Sequence, residues 1–436
     1  MDRSAIKDLY NWKDSKVRKP LLVKGLRQSG KTYLLKEFGR RAYDDVAYFN
    51  FEGNEHLQKC FERDLDPRRI VTELGVFRGK AIRPEATLII FDEIQFCGLA
   101  LTSLKYFCEK APEYHVVCAG SLIGIAVAKP FSFPVGKVDF LTLRPMGFYE
   151  FVLAEQGKDI LDFLSGLKKS EPIPELFTGR LVDLLRNYYI TGGMPEAVAK
   201  WVETKDVSAV EMVQQQILDS YELDFAKHAP VADIPRLNLI WKSIPSQLAR
   251  ENGKFIFSHV RPGARAKELE DALEWLIAAG MVHKVARIEK PFMPLCAYAD
   301  RNYFKLYAAD VGLLRKMAQL PAETIYQGPE VYKEFKGALA ENFVLTELLN
   351  SGISMPFYWK SNNLAELDFI VQIGSGIVPV EVKSGRNNRS RSLAEYRKRY
   401  SPEIAVTTSL DNLSGERLRN IPLYLLWKFQ EYVLAE

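Results

Sequence analysis

Cysteine and histidine are scarce in this chain of 436 residues, which contains five of each. The five cysteines form no Cys-x-x-Cys pair, and their odd number leaves any disulfide framework incomplete. The pattern therefore excludes the common zinc-ribbon type of site and a small disulfide-stabilised secreted scaffold. We expect reduced thiols in a cytoplasmic protein.

Long apolar runs and a strong charge of one sign are also missing. The longest uncharged apolar run covers residues 116–128, shorter than the roughly 20 residues that cross a membrane. The first residues mix both signs and precede no apolar segment, so we expect no signal peptide and no membrane partner. The formal net charge of +4 is too small to predict nucleic-acid binding, so any DNA contact must come from local clusters.

What the chain does contain is the composition of a folded protein, with 47% hydrophobic and 26% charged residues. Its length exceeds what one hydrophobic core usually serves. Changes in pattern along the chain predict three domains, at residues 1–204, 205–328 and 329–436.

The stretch Pro20–Thr32 carries the strongest pattern. An apolar strand leads into Gly25-x4-Gly30-Lys31-Thr32, and an amphipathic helix follows. This order is typical of a loop whose backbone N–H groups surround the phosphates of ATP, with Lys31 on the β and γ phosphates and Thr32 on Mg²⁺. The helix dipole adds positive potential at the same place. The predicted nucleotide-binding residues are Gly25, Gln28, Ser29, Gly30, Lys31, Thr32, Tyr33 and Ser121.

A second pattern lies at residues 87–93, where a continuous apolar run ends in Asp92 and Glu93. Such a run is typical of a central parallel strand that is buried on both faces. We expect Asp92 to hold Mg²⁺ and Glu93 to activate the attacking water. Ser121, after the next strand, is the candidate γ-phosphate sensor. Strands alternate with helices from residue 20 to 143, which predicts an α/β fold with a doubly wound parallel sheet.

These segments together resemble one large prokaryotic family of AAA-type P-loop ATPases. The resemblance is carried by GLRQSGKT, IIFDEIQ, AGSL, VGKVDFLTLRPMGFYEF and YYITGGMPEAV. It implies an ATPase followed by a winged helix and a C-terminal PD-(D/E)xK nuclease-like domain of α/β restriction-endonuclease type. Many relatives have an arginine where this chain has Lys137, and lysine is a poor substitute for an arginine finger. Arg144 is the alternative candidate for that role.

Residues 205–325 read as helices followed by two strands, the order of the implied winged helix. Its recognition helix would cover residues 266–279, with Arg261, Arg265 and Lys267 near its start. Four acidic residues on the exposed face favour a structural or protein-binding role equally well.

The C-terminal domain contains a second constellation, Asp368 and the tripeptide Glu381-x-Lys383 on two predicted strands. Residues i and i+2 share one face of a strand, so Glu381 and Lys383 point the same way. Two carboxylates are suitable Mg²⁺ ligands, and Lys383 would position a nucleophilic water. With Glu341 as a further ligand, the set resembles the core of restriction-endonuclease-like folds. The alternative of a nuclease-like fold that has lost cleavage and retains only binding remains open.

Seven basic residues and one acid lie between Lys383 and Arg399, with Tyr396 and Tyr400 among them. A basic run beside such a centre is where a phosphate backbone would lie. The leading hypothesis is therefore an ATPase coupled to a domain that binds branched or distorted DNA, acting as a homo-oligomer or alone. The alternative is a nucleotide-dependent switch that binds a protein through an inert C-terminal domain.

Overall fold

A computed structural model describes residues 1–120, 133–168, 171–250, 253–327, 333–361, 365–386 and 390–434, without the side chains of 333 and 334. Two compact units emerge from the packing. The first comprises Met1–Arg144 with Ala278–Gly280, and the second comprises Pro145–Ile277 with Met281–Glu436. Among the described helices, none is long and apolar enough to span a bilayer. All five cysteines are free thiols.

The first unit contains a parallel sheet of five strands in the order β2-β3-β4-β1-β5. The strands are β1 (Leu21–Lys24), β2 (Asp45–Asn50), β3 (Thr87–Asp92), β4 (His115–Gly120) and β5 (Asp139–Thr142). Its helices are Ile6–Asp14, Lys31–Ala42, Glu55–Lys59, Pro67–Phe77 and Gly98–Lys110. This arrangement confirms the predicted P-loop type of α/β sheet.

Strand β3 shows why an apolar run formed a central strand. Successive side chains of a strand point to opposite faces. Ile89 and Phe91 pack into one buried cluster, whereas Leu88 and Ile90 pack into another. Both faces are therefore covered, and the carboxylate of Asp92 emerges where the strand ends.

The second unit contains a mixed sheet of seven strands in the order β12-β11-β10-β9-β8-β6-β7. The strands are β6 (Val282–Ile288), β7 (Ala299–Ala308), β8 (Phe357–Lys360), β9 (Glu366–Ile373), β10 (Gly376–Val382), β11 (Ala405–Ser409) and β12 (Leu418–Pro422). The helices are Phe148–Gln156, Asp159–Gly166, Glu175–Thr191, Pro195–Thr204, Val207–His228, Ile234–Leu248, Phe257–Val260, Ala266–Ala278, Val311–Met317, Ala322–Gln327, Lys333–Asn350, Arg391–Tyr400 and Phe429–Val433.

Strands β6 and β7 are the pair that the sequence assigns to a wing. They form an antiparallel hairpin, and β6 also pairs in parallel with β8 at Arg287 and Ile288. The hairpin is thus the edge of the sheet that carries Asp368 and Glu381. The predicted boundary at residue 328 falls between strands of one sheet, and side chains of β7 reach the C-terminal centre.

The glycine pair of the GGMPEAV segment is a close backbone junction in the second unit. A Cβ on Gly193 would lie 2.0 Å from the carbonyl oxygen of Met146, and one on Gly192 would lie 2.2 Å from Asp310 Oδ1. The N–H of Gly193 donates to Asp310 Oδ2 at 2.5 Å. The helix Pro195–Thr204 begins directly afterwards. The two glycines therefore allow the close approach of the backbone at this junction.

Candidate functional sites: a phosphate loop and an acidic centre

The phosphate loop occupies the turn between β1 and the helix Lys31–Ala42. Gly25 has a φ of +153°, and a Cβ there would lie 2.0 Å from the carbonyl oxygen of Leu143. Gly30 precedes the helix with a φ of +89°. Exposed Gln28, with a φ of +63°, lies between them. Both glycines are thus required by the backbone path, as the sequence pattern predicts.

Lys31 is the first residue of that helix and is buried. Its ammonium donates to the carbonyl oxygens of Gly25 at 3.0 Å and Leu26 at 2.9 Å. Burial lowers the pKa of Lys31 to about 8, against the opposing charges of Glu93 and Asp92. The ammonium therefore lies across the loop, close to the backbone that would surround a phosphate.

Asp92 is held by three donors at the end of β3. The hydroxyls of Thr32 and Tyr48 each donate to Oδ2 at 2.8 Å, and the N–H of Glu93 donates to Oδ1 at 3.1 Å. Asp92 as a whole is 4% exposed. The residues that the sequence proposes for Mg²⁺, Thr32 and Asp92, are therefore adjacent, and their hard oxygens suit that ion.

Glu93 has a left-handed backbone, with a φ of 51°. That conformation costs free energy in a residue with a Cβ, and such strain is found at functional sites. The amide of Gln95 donates to Glu93 Oε2. The sharp turn places the Glu93 side chain beside the loop, where the charge of Glu93 acts on Lys31.

Two further residues of this site were not predicted from the sequence. Tyr48 comes from the neighbouring strand β2, and burial, together with Asp92, raises the pKa of its phenol well above the usual value. Buried Arg3 donates to the carbonyl oxygens of Ser29 at 2.8 Å and Arg144 at 2.6 Å. Arg3 thereby ties the phosphate loop to the segment after β5.

The remaining predicted nucleotide residues differ in their surroundings. The Ser29 hydroxyl is buried and has no hydrogen-bond partner among the described residues, so a polar ligand would satisfy it. Tyr33 is 55% exposed on the first helical turn. Ser121 lies outside the described residues. Together, the loop backbone, Lys31, Thr32 and Asp92 fit a nucleotide with its Mg²⁺.

Neither candidate for an arginine finger stands free. Lys137 forms an ion pair with Glu109 of the same unit at 2.9 Å. Arg144 is half-buried, and burial lowers the pKa of its guanidinium. The assignment of an arginine finger, which would act on the ATP site of a neighbouring protomer, stays a prediction.

The C-terminal constellation forms an acidic centre in the second unit. Asp368 Oδ2 accepts the N–H of Val382 at 2.7 Å, and Glu381 Oε1 accepts the Lys383 ammonium at 2.7 Å. Burial raises the pKa of Asp368 well above its usual value, and the charges of Glu341 and Glu381 raise it further. The fold therefore brings together all four residues that the sequence proposes.

Lys305 also belongs to the acidic centre, although the sequence analysis missed it. This β7 residue forms ion pairs with Glu341 at 3.2 Å and with Glu366 at 2.9 Å. Tyr307 donates to Glu341 at 2.7 Å. Burial opposes the charge of Lys305, yet the carboxylates, Glu341 first, raise its pKa well above the usual value.

A metal ion fits this centre poorly. Within the described ranges, no group of three or more His, Cys, Asp or Glu side chains has the arrangement of a metal site. Oε2 of Glu341 already accepts hydrogen bonds from both Lys305 and Tyr307. The metal-ligand set Glu341, Asp368 and Glu381 stays a prediction.

The basic run after β10 includes the helix Arg391–Tyr400. Exposed Arg397, Lys398 and Arg399 form its last turn. Tyr396, in contrast, is buried, with its ring 5.2 Å from that of Trp359. The helix thus presents cations to solvent, while Tyr396 belongs to the core and is unavailable for stacking on a base.

The predicted recognition helix is observed as Ala266–Ala278. Its exposed positions include Glu268, which pairs with Arg261 at 2.9 Å, and Glu274, which pairs with Lys284 at 3.3 Å. Two of the nearby cations are therefore partly neutralised. The acidic face makes this helix a poor partner for a phosphate backbone.

Family models match three segments of the chain. Residues 17–152 match an AAA domain, residues 182–324 a domain of unknown function (DUF8612), and residues 336–426 another domain of unknown function (DUF4143). No curated protein matches the chain. The match to the AAA domain covers the phosphate loop, Asp92 and Glu93. The chain thus carries an AAA-type P-loop ATPase domain, whereas its winged helix and nuclease-like domain stay predictions.

Several solved structures are similar to this chain at low sequence identity. The Walker-type ATPase PABY2304 of Pyrococcus abyssi is 16% identical, covering 72% of this chain and 95% of that chain, with a TM-score of 0.45. AMPPCP-bound DnaA from Aquifex aeolicus is 13% identical, covering 63% and 85%, with a TM-score of 0.28. The Thermotoga maritima RuvB Holliday junction branch migration motor is 12% identical, covering 67% and 90%, with a TM-score of 0.30.

Proposed function

We propose that this chain hydrolyses ATP at the phosphate loop and that nucleotide state controls the binding of DNA by the C-terminal region. The observation that carries the ATPase half is the position of Asp92, which Thr32 and Tyr48 both contact at 2.8 Å. A buried carboxylate fixed beside the loop threonine suits the electrostatic demands of phosphoryl transfer.

Each residue of the site has a separate role in this proposal. Lys31 and the loop N–H groups bind the phosphates, and Arg3 holds the loop in shape through Ser29. Thr32 and Asp92 would hold Mg²⁺, which supplies positive charge to the phosphate oxygens. Glu93 accepts a proton from, or orients, the attacking water, and Gln95 fixes its carboxylate.

The proposal that the C-terminal region binds DNA is supported by exposed positive charges. The helix Arg391–Tyr400 packs on β9 and β10, the strands that carry Asp368 and Glu381, and its last turn exposes cations to solvent. Cations on one face bind a phosphate backbone without reading sequence. A branched or distorted DNA is the ligand we propose.

A nucleotide-dependent switch that binds a protein is the second candidate. The acidic face of the helix Ala266–Ala278 favours it, because that face would repel DNA and attract a basic partner. In this case the C-terminal region is a docking domain.

ATP turnover measured with single-stranded, duplex and four-way DNA separates the two candidates. The DNA proposal predicts that at least one of these changes the turnover rate and gives a complex in a gel shift at low salt. Unchanged turnover with no complex would exclude DNA as the ligand, while leaving ATP hydrolysis itself established by the turnover without DNA.

A further inference from the structure

Lys305 is the most buried cation of the acidic centre. Its side chain comes from β7 and is 3% exposed, yet its ammonium lies within 3.2 Å of Glu341 and 2.9 Å of Glu366. Burying an ammonium is costly unless carboxylates surround it. The position of Lys305 is therefore explained only by the acids that it contacts.

The charges of the acidic centre are nearly balanced by lysines. Lys360 pairs with Glu366 at 2.9 Å, and Lys383 pairs with Glu381 at 2.7 Å. With Lys305, three ammonium groups face the four carboxylates of the centre, which belong to Glu341, Glu366, Asp368 and Glu381. A divalent cation that used Glu341 would share that carboxylate with Lys305, which would bring two positively charged groups into close contact.

We propose that Lys305 is the resident cation of the acidic centre, filling with its ammonium the role that a divalent metal would have. The centre then stabilises the sheet and activates no water. The domain binds its ligand without cleaving it. This inference goes beyond the proposed function, because it concerns the chemistry of the acidic centre and applies whether the ligand of the domain is DNA or a protein.

One atom of the centre remains available to a ligand. Glu381 Oε2 is buried and has no hydrogen-bond partner among the described residues. With Asp368 it provides two carboxylates, and Mg²⁺ can be held by one or two carboxylates when waters complete its shell. This pair is the place where a metal ion would bind if the proposal were wrong.

Electron paramagnetic resonance of Mn²⁺ added to the nucleotide-free full-length protein tests the proposal. Wild type should leave the spectrum of free Mn²⁺ unchanged. Lys305→Met keeps the length of the side chain and removes its charge, so the unbalanced carboxylates should bind Mn²⁺ at least about tenfold more tightly. Lys360→Met is the matched control: it also removes a partner of Glu366, but one that is 26% exposed, and it should bind no Mn²⁺.

The wild-type measurement does not depend on the Lys305 variant, and Asp368→Asn locates any ion that wild type binds. If wild type binds Mn²⁺ and Asp368→Asn abolishes that binding, the proposal is overturned. A fold defect in Lys305→Met is addressed by adding Glu341→Gln, which removes one carboxylate with the lysine. The double variant should recover most of the decrease in the thermal unfolding midpoint that Lys305→Met causes. A midpoint that does not recover would show that Lys305 does not neutralise Glu341.

Discussion

The hydroxyl of Thr32 donates to Oδ2 of Asp92 at 2.8 Å, which joins the first turn of the loop helix to the end of β3. Thr32 follows the phosphate-binding lysine, and Asp92 precedes the candidate catalytic glutamate. One hydrogen bond thus connects the phosphate loop to the segment that carries the candidate catalytic glutamate. The integrity of this contact should decide whether bound nucleotide is hydrolysed.

Replacing Tyr48 tests whether the Asp92 network matters for turnover. Tyr48→Phe removes one of three donors to Asp92 while keeping the ring, so ATP turnover should fall by about tenfold. Thr32→Val removes both the hydrogen-bond donor and the candidate metal ligand, so its turnover rate should fall further. Thr32→Ser keeps the hydroxyl, and its turnover rate should stay near that of wild type. Steady-state phosphate release measures all three. Equal rates in Tyr48→Phe and wild type would show that the network does not support catalysis.

Local patterns predicted the strands and the loop of the first unit, since apolar runs, glycines and their spacing lie within short segments. Asp92 and Glu93 could be placed because a buried parallel strand must end at a ligand-binding edge. Tyr48, Arg3 and Lys305 could not be placed from the sequence. Each acts on residues more than 25 positions away, and only the tertiary fold brings it to its site.

The glycine junction should be sensitive to a single methyl group. Gly193→Ala places a Cβ 2.0 Å from the Met146 carbonyl oxygen and should lower the free energy of unfolding by about 2 kcal/mol or more. Gly179→Ala is the matched control, because a Cβ there has no neighbour within 4 Å and the site lies in the helix Glu175–Thr191. It should be neutral or stabilising by up to about 1 kcal/mol. Urea denaturation measures the free energy of unfolding of both variants. Equal losses of stability would contradict the close backbone contact at Gly193.

Glu347 should make stability depend on pH. Burial raises its pKa from 4.5 to about 7, although the N–H of Phe148 donates to it at 2.9 Å. The folded chain therefore holds the proton of Glu347 more tightly than the unfolded chain does. The resulting contribution to the free energy of unfolding is fully present below pH 4.5 and is lost as the pH rises through 7. The loss amounts to about 3 kcal/mol.

Glu347→Gln should remove that part of the pH dependence. Denaturation at about pH 5 and about pH 8 gives the difference in unfolding free energy, which should be smaller in the variant than in wild type. Identical differences in the two proteins would mean that Glu347 is ionised in the folded state at both pH values.

The exposed cations near residue 398 should set the salt dependence of DNA binding. Arg397→Ala combined with Lys398→Ala removes two candidate phosphate contacts, so the slope of log K against log salt should become shallower by about 2, for every DNA sequence alike. Lys267→Ala on the acidic helix Ala266–Ala278 is the control and should leave the slope unchanged. If Lys267→Ala reduces the slope and the double variant does not, the helix Ala266–Ala278 would be the DNA contact.

The central claim is that the phosphate loop and Glu93 form an ATP-hydrolysing site. Single-turnover hydrolysis of ATP with Mg²⁺ in wild type and Glu93→Gln tests it most directly, with nucleotide binding measured in parallel. We predict equal ATP affinity and a hydrolysis rate lower by about a hundredfold or more in the variant. An unchanged rate in Glu93→Gln, with ATP bound at the loop, would contradict the account.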